Sequence, residues 1–234
     1  LSALEKNTTG ADNTAVGSGA LDANTTAINN TAVGKTALGA NTTGHRNTSV
    51  GKDSMAVNTT GCCNVSVGWG SLGSNTTATG NTAVGAVALT SNTTGIKNAA
   101  LGESALYTNT TGCCNVAVGR QALYANTTAN DNTAVGNNAL FANTTGCQNT
   151  ALGFNTLATN ISGCQNVAIG MKALDSQTTG TGNTALGNES LTVVTTGSYN
   201  TGTGWLAGVD VTTGSNNSFL GRDAGRTGSP GGSI

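Results

Sequence analysis

The stretch N-T-A-V-G-K-T-A-L-G-A-N-T-T-G-H-R, Asn30 to Arg46, decides the fold, because the chain repeats it in phase along almost its whole length. Asparagine stands at residues 13, 30, 47, 64, 81, 98, 115, 132, 149, 166, 183, 200 and 217, each 17 after the last. Glycine follows each of them four residues later, from Gly17 to Gly221. With that asparagine as position one, the consensus is N-T-A-V-G-x-x-A-L-x-x-N-T-T-G-x-x, without insertions, and the N-terminal Ser2–Asp12 fits it in phase. A repeat of two helices needs about 33 residues, so a shorter unit punctuated by two glycines holds only short strands and turns. The period predicts an all-β chain, a parallel β-solenoid or β-roll. Residues 1–225 form a single domain of about fourteen coils with 17 residues each, followed by a flexible Gly/Ser/Pro tail at 226–234.

Within the unit, the third position is small and the fourth aliphatic, with Phe219 and Thr203 as exceptions. That alternation predicts a strand with one face in the core. Its valines and the leucines of the ninth position are expected to form the two ladders that hold each coil. Glycines supply positive φ at the turns, and stacked asparagines tolerate similar geometry while bonding to their equivalents one coil away. Gly208 and Gly225 replace the ninth-position leucine, so the C-terminal coils are expected to fray.

Charged residues are 8% of the chain, against roughly 25% in ordinary globular proteins. All nineteen, nine basic and ten acidic, fall in three corner pairs: the sixth and seventh, tenth and eleventh, and sixteenth and seventeenth positions. These are the expected solvated corners. With a net charge of -1 and no basic stripe, nucleic acid is not an expected partner. No apolar run approaches the roughly 20 residues of a membrane span, so no insertion is expected. The start lacks an initiator Met and a signal-peptide core, which reads as processing or cropping. So lean a core is expected to gain by burying the uncharged Asn-Thr-Thr-Gly face against copies of itself, side by side or end to end.

The phrases N-T-A-V-G-K-T-A-L, N-T-A-V-G-N-N-A-L-F-A-N-T-T-G and N-S-F-L-G-R-D-A-G resemble the Asn-Thr-Ala-Val-Gly repeats of phage tail-fibre-type and bacterial surface proteins. They are also similar to the heads of trimeric autotransporter adhesins, whose repeat is shorter, near fourteen residues. The resemblance implies a homotrimeric structural fibre or adhesin, extracellular, on a cell surface or virion. It implies attachment or shaft extension as the role, with a surface glycan or receptor as a further partner. The longer repeat and the absence of a membrane anchor, coiled-coil stalk or self-cleaving chaperone domain depart from the autotransporter pattern.

Local features are each weighed against a plainer role. Tyr107, Tyr124 and Phe141 share the tenth position in consecutive coils, where an aromatic row can grip a sugar or stiffen the stack. Cys147 and Cys164 share the sixteenth position in adjacent coils, about 4.8 Å apart, which permits a disulfide. The vicinal pairs Cys62-Cys63 and Cys113-Cys114 can bond across subunits, form vicinal bridges or stay free. Asn7, Asn24, Asn41, Asn58, Asn75, Asn92, Asn109, Asn126 and Asn143 each open an N-glycosylation sequon, or form a structural ladder. The alternatives to a fibre are therefore a glycosylated extracellular fibril assembling end to end, and an ice-binding solenoid using its threonine rows. With one histidine, His45, and no nucleophile–base pairing, no enzyme activity, metal or cofactor is expected.

Overall fold

The computed structural model describes residues 2–227. The flexible-tail expectation for 226–234 lies outside the described residues from 228 onward, whereas the backbone N–H and Oγ1 of Thr227 both donate to the Asp210 carboxylate at 2.6 Å. Among the described residues the chain forms thirteen strands of three residues at the second to fourth positions, and they fall in two compact units. The first unit, Leu1–Asn115, holds β1 (Thr14–Val16), β2 (Thr31–Val33), β3 (Thr48–Val50), β4 (Val65–Val67), β5 (Thr82–Val84) and β6 (Ala99–Leu101). The second, Val116–Ile234, holds β7 (Val116–Val118), β8 (Thr133–Val135), β9 (Thr150–Leu152), β10 (Val167–Ile169), β11 (Thr184–Leu186), β12 (Thr201–Thr203) and β13 (Ser218–Leu220). Inside each unit every strand pairs parallel with the next, equivalent residue against equivalent residue. The β-solenoid expected from the period is therefore the observed fold.

The core differs from the expected one in which strand face turns inward. Alanine of the third column is fully buried from Ala32 to Ala185, while the fourth-column aliphatics Leu101, Leu152, Ile169 and Leu186 are 36–45% exposed. Successive strand residues point to opposite faces, and the tight interior accepts the methyl group and rejects the larger side chain. The valine ladder thus lies outside, and each coil from Leu21 to Leu191 is held by one large side chain, the fully buried ninth-column Leu or Met, between the small third- and eighth-column residues.

That leucine sits in an unusual backbone. From Leu21 to Leu191, including Met55, the ninth column has φ between 47° and 53°, and the seventh and seventeenth columns are also left-handed. Such φ values cost an L-residue about 1–2 kcal/mol, most of all a β-branched one. The ninth column accordingly holds only Leu, Met or Gly. Glycine is needed at the fifth column, where φ runs from 110° to 141°. The fifteenth-column glycine has no positive φ, and alanine takes its place at Ala27, Ala78 and Ala129, so the expectation that both glycines supply left-handed turns holds for the fifth alone.

At the C-terminal end the two ninth-position glycines are matched by an exchange of volume. A Cβ on Gly208 would lie 2.7 Å from Cδ2 of Phe219, and one on Gly225 would also collide with the Phe219 ring. Phenylalanine in a column of alanines fills the space that two missing leucines leave, and Gly208 still donates to the Ala224 carbonyl at 2.8 Å.

Candidate interaction surface

Two buried asparagine ladders fix the backbone that displays the surface. In the first column the side-chain oxygen accepts the backbone N–H of the next asparagine, as from Asn183 to Asn166 at 2.9 Å, while the amide donates to a fifteenth-position carbonyl, Asn166 to Gly180 at 2.9 Å. In the twelfth column each amide donates to the preceding asparagine, as from Asn58 to Asn41 (2.9 Å) and Asn160 to Asn143 (2.7 Å). These bonds satisfy groups that the narrow interior would otherwise leave without water.

The sequon asparagines belong to this second ladder. Asn24, Asn41, Asn58, Asn75, Asn92, Asn109, Asn126 and Asn143 are fully buried and Asn7 is half-buried. Their amides point inward, away from any enzyme acting on the folded chain. Of the Asn-Thr-Thr-Gly segment the fourteenth column, such as Thr43, Thr94 and Thr145, is exposed throughout, and the thirteenth column at Thr8, Ile161 and Thr212. The thirteenth-column hydroxyls are turned along the backbone, as when Thr59 donates to the Thr76 carbonyl at 3.1 Å.

The outward strand face is the part of the surface that sequence reasoning placed in the core. It carries the second and fourth columns, mostly threonine or valine beside an aliphatic, with Ala99, Ser218 and Thr203 as exceptions and without one charge in any coil. Across the glycine corner, the sixth column adds Trp69 in the first unit and Phe154, Met171 and Trp205 in the second, all 43–58% exposed. The Arg222 guanidinium lies 4.4 Å from the Trp205 ring centroid, a cation–π contact. The signal for this face was present in the sequence as the alternation itself, but period two does not say which set of residues points inward.

Of the aromatic row, the rings of Tyr124 and Phe141 stack at 5.2 Å and 11°. Both are half-buried, as is Tyr107 in the first unit, so the row offers little open face. A feature missed in the sequence is a buried hydroxyl chain in the first unit, where Ser49, Ser54, Ser66 and Ser71 replace alanine in the third and eighth columns. Ser49 donates to Ser54 at 2.9 Å, Ser54 to Ser66 at 2.8 Å, and Ser66 and Ser71 share a bond of 2.5 Å. Each of these hydroxyls satisfies another, which explains why they occur as a group.

None of the six cysteines is in a disulfide. Cys62 and Cys113 are half-buried and Cys63 and Cys114 exposed; burial and then the Cys63 thiol push the Cys62 thiol up. The sulfurs of Cys147 and Cys164 lie 2.8 Å apart, and the Cys147 N–H donates to the Cys164 sulfur at 3.0 Å. The Cys164 bond, then burial, raises the Cys147 thiol above its ordinary value, so its thiolate forms only under alkaline conditions. Oxidation by a small disulfide at pH 9 is expected to remove two of six thiols and stabilise the chain by about 3 kcal/mol, as for a loop of roughly this length. Thiol titration and a denaturant midpoint check this; loss of the effect in Cys164→Ser ties it to this pair.

Among the described residues no group of three or more His, Cys, Asp and Glu side chains is placed to hold a metal, and no helix is long and apolar enough to cross a membrane. A shallow hollow in the first unit has Asp22 and Asp53 on its wall, with Lys6 3.6 Å from the first and Lys52 3.4 Å from the second. Thr36 donates to Asp53 and is the main cause of its lowered pKa, which leaves a satisfied corner carboxylate and no catalytic constellation. Comparison with protein-family models, with curated proteins and with solved structures returned no match for the chain.

Proposed function

We propose that this chain is a non-enzymatic structural module of an extracellular fibre, on a cell surface or virion, that extends a shaft or mediates attachment and works as an assembly of its own copies, a homotrimer. The observation that carries this reading is the outward strand face: aliphatic side chains recur from coil to coil, Thr203 excepted, beside uncharged strand neighbours, an apolar surface of the kind that marks an interaction site. The uniformity of the coils supports it, since a repeated backbone with satisfied ladders provides length and stiffness, while variable corner residues provide recognition.

Light scattering on the purified protein tests the reading. A sharp mass at three times 22.8 kDa, unchanged by reductant, is the expected result, and a monomer at every concentration sinks it. A second reading, ice binding, is favoured by one observation, the exposed fourteenth-column threonine row. Thermal hysteresis in a monomeric sample would support that reading over the fibre.

A further inference from the structure

We infer that a second copy of this chain docks on the strand face formed by the second and fourth columns with the sixth column at its margin, and not on the Asn-Thr-Thr-Gly face. The inference rests on the self-assembly reading above and names the surface that performs it.

Three observations select this face and its occupant. The Asn-Thr-Thr-Gly segment has spent most of its asparagines and glycines on the interior and presents a column of small hydroxyls, beside which Ile161 is a single exposed aliphatic rather than one of a row. The strand face instead exposes Leu152, Phe154, Ile169, Met171 and Leu186 in consecutive coils of the second unit. Second, its strand columns hold no charge and in the second unit the sixth-column margin adds only Arg120 and Arg222, so a charged partner gains little on the strands, whereas an identical apolar face matches them. The ridges recur at the inter-strand spacing of about 4.8 Å, a period that another copy of the same solenoid shares.

Area is the third argument. Three strand residues at about 3.3 Å each and a height of about 4.8 Å give roughly 50 Å² of projected face per coil, or roughly 300 and 350 Å² in the two units. Widened to the sixth column the face is roughly 80 Å² per coil, or roughly 550 Å² in the second unit, and two such faces together bury roughly 1,100 Å², above the roughly 1,000 Å² that a specific interface needs. Phe154, Met171 and Trp205 are therefore part of the docking surface of that unit.

The test compares assembly masses by light scattering over a concentration series. Leu152→Thr/Ile169→Thr places in the fourth column a residue the chain already carries there at Thr203, so the coils keep their strands, and circular dichroism verifies this. This pair is expected to weaken association roughly hundredfold, with Ile169→Glu abolishing it, because each exposed aliphatic contributes burial at the contact. Thr145→Glu, on the exposed fourteenth column, is expected to leave the mass unchanged. A wild-type multimer that survives both strand-face variants, or that Thr145→Glu dissociates, overturns the docking face while leaving the fibre reading standing. A monomeric wild type overturns both.

Discussion

Gly119→Ala is expected to destabilise the protein by about 3 kcal/mol or more, with a marked fall in the thermal midpoint. At φ 127° an L-residue is strained, and that alone costs about 1–3 kcal/mol. The new methyl group would also lie 2.6 Å from the Gly136 oxygen and 2.7 Å from its carbonyl carbon, both backbone atoms fixed by the ladder. The control is Gly146→Ala in the fifteenth column. A Cβ there likewise meets the oxygen of the next coil, Gly163, but φ is ordinary, and the chain carries alanine at the equivalent Ala27, Ala78 and Ala129. A small loss for Gly146→Ala beside a large one for Gly119→Ala would assign the requirement to positive φ. Equal losses would assign it to crowding and refute this account.

Asn166→Ala is expected to cost about 3 kcal/mol, measured by chemical denaturation. The asparagine accepts the buried Asn183 N–H at 2.9 Å and donates to Gly180 at 2.9 Å and Asn149 at 3.1 Å. Gly180 keeps a second donor in Gln177, but the Asn183 N–H has no other acceptor at hand, and a buried orphaned donor costs about 1–3 kcal/mol before lost bonds are counted. Asn166→Asp separates acceptor from donor. Its carboxylate still accepts from Asn183 but cannot donate, and burial raises its folded pKa above the unfolded value near ~3.9. The folded state then holds a proton that the unfolded state releases, so the variant's stability is fullest below pH ~4 and is lost as pH rises through the folded pKa. A variant as stable as wild type at neutral pH would show that the ladder contributes little.

The period made the coil legible, but period alone fixes neither which strand face is inside nor what the backbone does at the corners. Ala151 and Leu152 read as a core alternation, and only closure of the coil shows that the smaller residue fits within. The left-handed seventh and ninth columns were hidden because Val87 and Leu89 are poor indicators of such φ values; their geometry, 50° and 51°, is imposed by the ladders on either side. The asparagine ladder could be read because amide stacking needs only the spacing. The Ser49 to Ser71 chain and the Phe219 exchange could not, since each depends on residues in different columns that become neighbours only in the folded coil. The same limit applies to the candidate surface, whose fourth-column aliphatics were visible but assigned to the interior.

The in-register ladders bear on how such a gene can change. Because a coil offers its neighbour the same bonds that it receives, adding or deleting one 17-residue unit leaves the remaining donors and acceptors matched. Unequal recombination between repeats can then alter the length of the array by whole coils, about 4.8 Å at a time, without selecting a new core. Three places resist this exchange: the serine chain from Ser49 to Ser71, the thiol pair Cys147 and Cys164, and the Phe219 plug between Gly208 and Gly225. There neighbouring coils have become specific to one another, and duplication or loss of a single unit would leave a hydroxyl, a sulfur or a cavity unmatched.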